Sequence, residues 1–117
     1  MVTQISQHFT AEEFACNHCG KSHPDGVPQE LLTILEAVRE HYGTPVNINS
    51  GYRCPTHNKN VGGAINSYHM KGLAADFWMK NVDPHTVYRD LNQNHEGGLG
   101  DYNTFTHVDV RGYRARW

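Results

Sequence analysis

The chain has 117 residues, 38% of them hydrophobic, with three cysteines and a formal net charge of −2 at pH 7. That is enough chain for one modest core and not for two, and the near-balanced charge gives no footprint for a nucleic-acid or anionic-membrane partner. No run approaches the eighteen or so apolar residues of a membrane span, and Met-Val-Thr-Gln-Ile-Ser-Gln-His at the start lacks the basic-then-apolar order of a secretion signal.

Thr10 followed by Glu13 forms a capping box, with Phe9 and Phe14 at the positions of a hydrophobic staple, which predicts a short helix from about residue 11. It gives way to Cys16-Asn-His-Cys19-Gly-Lys, the tight Cys-x-x-Cys-Gly turn that structural zinc sites use. Pro28 to Tyr42 is the main helix. It has Pro in its first turn, Leu31, Leu32, Leu35 and Val38 at three- and four-residue steps, and Gly43 then Pro45 to close it. Val46 to Ser50 alternates as a strand, with Val46 and Ile48 inward, and delivers Gly51-Tyr52-Arg53 at its end. Pro55 to Val61 reads as a short helix ended by Gly62-Gly63, and a polar loop follows to Ser67.

Ala74 to Met79 is a second strand, with Asp76 and Trp78 on one face and Phe77 on the other. Asp83-Pro84 starts a helix whose buried side is Val87, Tyr88 and Leu91 and which Gly97-Gly98 is expected to end. Gly98 to Tyr102 and Thr104 to Val110 read as two strands or one bent strand, and the basic aromatic tail Tyr113 to Trp117 as packing on the domain. No repeat, low-complexity tract or linker interrupts the chain. The expectation is one α+β domain over residues 1–117, a short antiparallel sheet with helices packed on one side.

Two groups of residues suggest metal chemistry. His69 and Asp76 stand seven apart around Gly72, too irregular a step for one helix face. The chain is expected to turn at Gly72 and bring Asp76 back past His69 on a strand. Imidazole and carboxylate are both zinc ligands, and a catalytic zinc takes three protein ligands and leaves a position for water. Thr106-His107-Val108-Asp109-Val110 offers the third, since strand alternation puts His107 and Asp109 on one face. The bland alternative is a set of unrelated polar residues, and any one histidine of the nine would favour it. The second group is Cys16 and Cys19 with Cys54, the only other cysteine, and His57 or His23. It is read either as a second, structural zinc tying the N-terminal turn to the loop at Arg53, or as free thiols, or as one disulfide with a thiol left over. A nucleic-acid-binding zinc ribbon ranks well below these, because the knuckle is single and the chain is not basic.

Ser50-Gly51-Tyr52-Arg53, Asn58, Gly62-Gly63, Ser67-x-His69-x-x-Gly72-x-Ala74-x-Asp76 and His107-Val108-Asp109, in that order, resemble the M15 group of zinc peptidases, which cleave D-amino-acid-containing peptides of bacterial cell walls. The resemblance spans roughly half the chain. It implies a fold of the hedgehog and D-Ala-D-Ala peptidase type, a catalytic zinc on His69, Asp76 and His107, and hydrolysis of an amide in peptidoglycan stem peptides or cross-bridges by a zinc-activated water. The enzyme would be a D,D- or L,D-carboxypeptidase or an endopeptidase. A monomer acting on a wall peptide is implied, with no nucleic acid or membrane partner. A phage or prophage lytic enzyme, accumulating in the cytoplasm, would fit the missing leader, as would removal of one.

By the same resemblance Arg53 sits near the scissile bond, where a guanidinium steadies an oxyanion or forks onto a substrate carboxylate. The bland alternative is an ion pair with an aspartate. Ser67 either bonds substrate or shapes the turn before His69. Asp109 is either the general base or the carboxylate that orients a ligand imidazole. Several members of the group carry an acidic residue or histidine two or three places before the last ligand, where this chain has Thr104 and Phe105. Asp101 and Glu96 are then substitutes for the base. The reading of another class is a non-catalytic wall-peptide-binding module that keeps the metal, and a third is a cysteine-anchored zinc-ribbon adaptor.

Overall fold

The computed structural model describes residues 3–117; Met1 and Val2, where the stretch read as lacking a leader begins, lie outside them. After a 3₁₀ turn at Ala11–Phe14 come α1 (Gln29–Tyr42), β1 (Asn47–Ser50), α2 (Pro55–Asn60), β2 (Ala74–Trp78), α3 (Pro84–Asn92), β3 (Gly98–Asp101), β4 (Thr106–Asp109) and β5 (Ala115–Arg116). The strands form one sheet in the order β1-β2-β4-β3-β5. The first four are antiparallel to their neighbours, while β5 runs parallel to β3.

Strand alternation divides this sheet into two chemical faces. Ala75 and Phe77 of β2, Leu99 of β3 and Val108 of β4 lie fully buried on one face. Leu31, Leu32, Leu35 and Val38 of α1 and Val87 of α3 cover them, as the three- and four-residue steps require. Each such side chain contributes roughly 1.5–3 kcal/mol on burial. The other face carries Asp76 opposite His107 and Ala74 opposite Asp109 in the β2–β4 register. The pairing that makes the core therefore also sets the polar residues side by side.

The capping box at Thr10 and Glu13 forms, and the Phe9 and Phe14 rings lie 5.8 Å apart. The element is a single 3₁₀ turn, because the chain leaves at once for the cysteine turn, where the Cys16 N–H donates to the Lys21 carbonyl. Gly43 ends α1 with φ +64, and Gly72 turns the chain with φ +70.

Two expectations change. Helix α3 stops at Asn92, five residues before the glycines expected to end it. Arg114 and Arg116 take its last carbonyl and side chain, donating to Asn92 O (2.8 Å) and Asn92 Oδ1 (2.6 Å), and Gly98 opens β3 instead. The tail does pack on the domain, but as the fifth strand, so the sheet is mixed. Among the described residues no helix is long and apolar enough to cross a membrane.

Candidate metal centre

His69, Asp76 and His107 arrive from the 67–72 turn, the middle of β2 and the middle of β4. All three are buried, and their ligand atoms lie within 4.8 Å of one another. His69 Nδ1–H donates to the Gly51 carbonyl (2.7 Å), which fixes the tautomer and leaves the Nε2 lone pair facing inward. That Nε2 is 3.2 Å from Asp76 Oδ1 and is the one buried side-chain polar atom without a hydrogen bond among the described residues. An orphaned buried lone pair is costly unless something takes it. A cation between these three side chains is such a partner, and neutral imidazole, carboxylate and imidazole fit zinc.

His107 presents Nδ1 to Asp76 Oδ1 (2.8 Å), while its Nε2–H donates to Asp109 Oδ2 (2.8 Å). Asp109 is 0% exposed. Its oxygens also accept from Gly98 N–H (3.0 Å), Arg111 N–H (3.1 Å), Arg111 Nε (2.8 Å) and Arg111 Nη2 (2.7 Å). A carboxylate so enclosed sits behind His107 and has no free oxygen for a water. Of the two roles open to Asp109, the geometry supports orientation of the imidazole and speaks against the general base. Gly98 makes this possible: a Cβ there would stand 2.2 Å from Asp109 Oδ2.

Arg53 borders the same site. Its Nη2 is 3.3 Å from Asp76 Oδ2, its Nε donates to Ser50 Oγ (3.1 Å), and its Nη1 lies 3.4 Å from Asn58 Oδ1. The ion pair with an aspartate therefore forms, with the candidate ligand itself. Ser67 Oγ accepts from His69 N–H (3.2 Å), which shapes the turn before the imidazole. Neither substitute base is near. Asp101 pairs with Thr106 across the strands, on the face away from His107, and holds His85 Nδ1 at 2.7 Å. Glu96 is exposed beside Glu30 and Ile34, in a separate hollow.

The three thiols also converge, with sulfurs within 4.8 Å of one another. Neither expected histidine joins them at that distance. His23 packs edge-on against Tyr52 (5.3 Å), and its Nδ1 accepts from Asp25 N–H; the His57 ring stacks on His18 at 5.9 Å. Burial opposes ionisation of Cys16, but backbone N–H groups of Cys54, Cys19 and His18 outweigh it and bring the thiol down to about 7.

A sequence profile of the Peptidase M15 family matches residues 7–109. The chain belongs to that family. Over 49 residues, 39% of its length, it is 54% identical to the zinc D-Ala-D-Ala carboxypeptidase of Streptomyces albus G; the matched stretch covers 19% of that relative.

In this M15 member, burial pushes the Asp76 carboxyl up, but the His107 and His69 imidazoles beside it overcome that and hold Asp76 well below the usual carboxylate range. Asp109 is lowered in the same way, with Arg111 outweighing its burial. Burial disfavours the His107 cation, yet its bonds to Asp109 and Asp76 raise its pKa. Sequence reasoning missed Arg111, which locks Asp109 and lies over the Tyr68 ring (4.2 Å) and the Trp117 ring (5.1 Å). The signal was present: residues 107, 109 and 111 step along one side of an extended chain. It also missed that the tail lines the site. Tyr113 and Trp117, with Ser67, Tyr68, Lys71 and His107, border a cleft of about 490 Å³.

Proposed function

We propose that this chain is a zinc-dependent peptidase that hydrolyses an amide bond in bacterial peptidoglycan, in a stem peptide or a cross-bridge. The observation that carries the reading is the orphaned His69 Nε2, aimed at Asp76 and His107 beside an open cleft. His69 Nε2, an Asp76 oxygen and His107 Nδ1 would hold the metal. Zinc so held supplies a Lewis acid for the scissile carbonyl and lowers the pKa of the attacking water. The rest of the work falls to the chain. Gly51 O and Asp109 fix the two imidazoles in the protonation states a cation requires. Arg53, held at three points, offers its remaining donor capacity to an oxyanion or a substrate carboxylate. The aromatic wall of Tyr68, Tyr113 and Trp117 gives the substrate an apolar surface.

The relative's name favours a carboxypeptidase acting at D-Ala-D-Ala. A cell-wall endopeptidase of the lytic kind would draw on the same residues of this chain. One observation favours a second reading, a wall-peptide-binding module that retains the metal. Asp109 is sealed by Arg111, and Asp101 and Glu96 lie elsewhere, so none of the carboxylates considered as general base is free at the cleft. Incubation of purified peptidoglycan with metal-stripped and zinc-restored protein separates the two. Release of new amine termini only with zinc is the expected result; wall binding without new amines would overturn the enzyme in favour of the module.

A further inference from the structure

We propose that Cys16, Cys19 and Cys54 form a second metal site, structural and zinc-class, which clamps the loop that carries Arg53 and supports His69. Three free thiols from two distant parts of the chain bring their sulfurs within 4.8 Å. A tetrahedral zinc with sulfurs at about 2.3 Å sets the S···S separation at roughly 3.8 Å, so the cluster closes on an ion by a shift of about an ångström or less. A disulfide would use two of the sulfurs and strand the third.

The backbone is arranged for thiolates. Cys54 N–H donates to Cys16 Sγ and His57 N–H to Cys54 Sγ, both at 3.4 Å, and the turn between Cys16 and Cys19 is closed by Gly20 N–H on the Cys16 carbonyl (2.8 Å). Three sulfur donors select a borderline-soft cation over calcium or magnesium. The fourth donor would be one of two imidazoles carried by the cluster's own segments, which stack on each other outside the 4.8 Å group in this structure. His18 lies between Cys16 and Cys19, and His57 follows Cys54 by one helical turn.

The consequence lies in what Cys54 is attached to. In the segment just before it, Gly51 O accepts from His69 Nδ1–H, Tyr52 N–H donates to Phe14 O (2.8 Å), and Arg53 N–H donates to His69 O (3.1 Å). Gly51 lies so close to Phe14 that a Cβ would stand 2.6 Å from its carbonyl oxygen. A metal joining Cys16 and Cys19 to Cys54 would fasten this segment to the N-terminal turn. The strip from Gly51 to Arg53 between the two sites would then hold one side of the candidate catalytic site in register.

The test uses the full chain with cobalt(II) as probe, in the His69→Ala variant to remove the His/Asp site. The expected result is near-ultraviolet sulfur-to-cobalt charge transfer at one equivalent. It should be lost in Cys16→Ser and in the milder, exposed-site variant Cys19→Ser, and weakened in whichever of His18→Ala and His57→Ala removes the fourth donor. Unsubstituted protein should hold about two zincs, and zinc should shield its thiols from alkylation. In Cys19→Ser, zinc affinity at the remaining site should fall about 10-fold or more, within the range for groups that orient ligands. Absence of the charge-transfer band together with unshielded thiols, or a disulfide with one zinc per chain, would overturn the proposal. A chain that binds cobalt through sulfur but cleaves nothing would sink the peptidase reading and leave this one standing.

Discussion

The two clusters of candidate metal ligands are built in opposite ways. His69, Asp76 and His107 are all buried. Two of the three stand on paired strands, and each imidazole is held from behind by an oxygen of its own, Gly51 O or Asp109 Oδ2. Cys16, Cys19 and Cys54 range from buried to exposed and stand on turns and a loop end; Cys54 N–H donates to Cys16 Sγ, and His57 N–H to Cys54 Sγ. The first cluster is preorganised by the same sheet that makes the core. The second would depend on an ion to be a unit. Chemistry can be entrusted to the first, because its geometry does not wait on the ligand, whereas fastening suits the second.

The largest test of the contrast is His107→Ala. Turnover on peptidoglycan should drop to background and one zinc per chain should be lost, while far-ultraviolet circular dichroism is retained, because the sheet does not depend on that ion. Unfolding of the variant at room temperature would contradict the idea of a preformed site. Asp109→Asn keeps the shape and removes the charge behind His107. Zinc affinity measured by competition with a chelator should weaken about 10- to 100-fold, and an unchanged value would remove Asp109 from the site's support. Gly98→Ala drives a methyl group into the Asp109 carboxylate. A loss of about 1–3 kcal/mol in urea unfolding is expected, together with weaker zinc binding.

Acid should act on the sheet site through Asp109. Its pKa is lower folded than unfolded, so the unfolded chain takes up the proton first. The stabilisation is complete above the ordinary aspartate value of about 3.9 and is lost as pH falls towards the folded value. Urea midpoints of metal-stripped protein should be flat from pH 6 to 5 with respect to this group and decline below about pH 4. Asp109→Asn should make that decline shallower, leaving the share that Asp76 contributes in the same window. The smallest effect is expected at Trp117, which is 46% exposed and 5.0 Å from the His107 ring. Trp117→Ala should change stability by about 0.5 kcal/mol or less if the site behaves as surface, and act instead by raising KM for a wall peptide. A drop in kcat with KM unchanged would contradict a role in substrate contact.

What could be read without coordinates was whatever rests on local chemistry and periodicity. The capping box at Thr10, the apolar stripe of α1 and its Gly43 stop follow from backbone sterics and side-chain spacing, and so does the shared face of His107 and Asp109. Contacts between segments far apart in the chain were decided elsewhere. The capture of Asn92 by Arg114 and Arg116 shortened α3, and Arg111 closed over Asp109. The return of the tail as β5 brought Trp117 against His107. The physical reason is that propensity and pattern are properties of neighbours a few residues apart. Which polar group satisfies a given charge, and which face a loop residue finds, depends on the competition among all groups the fold brings within reach.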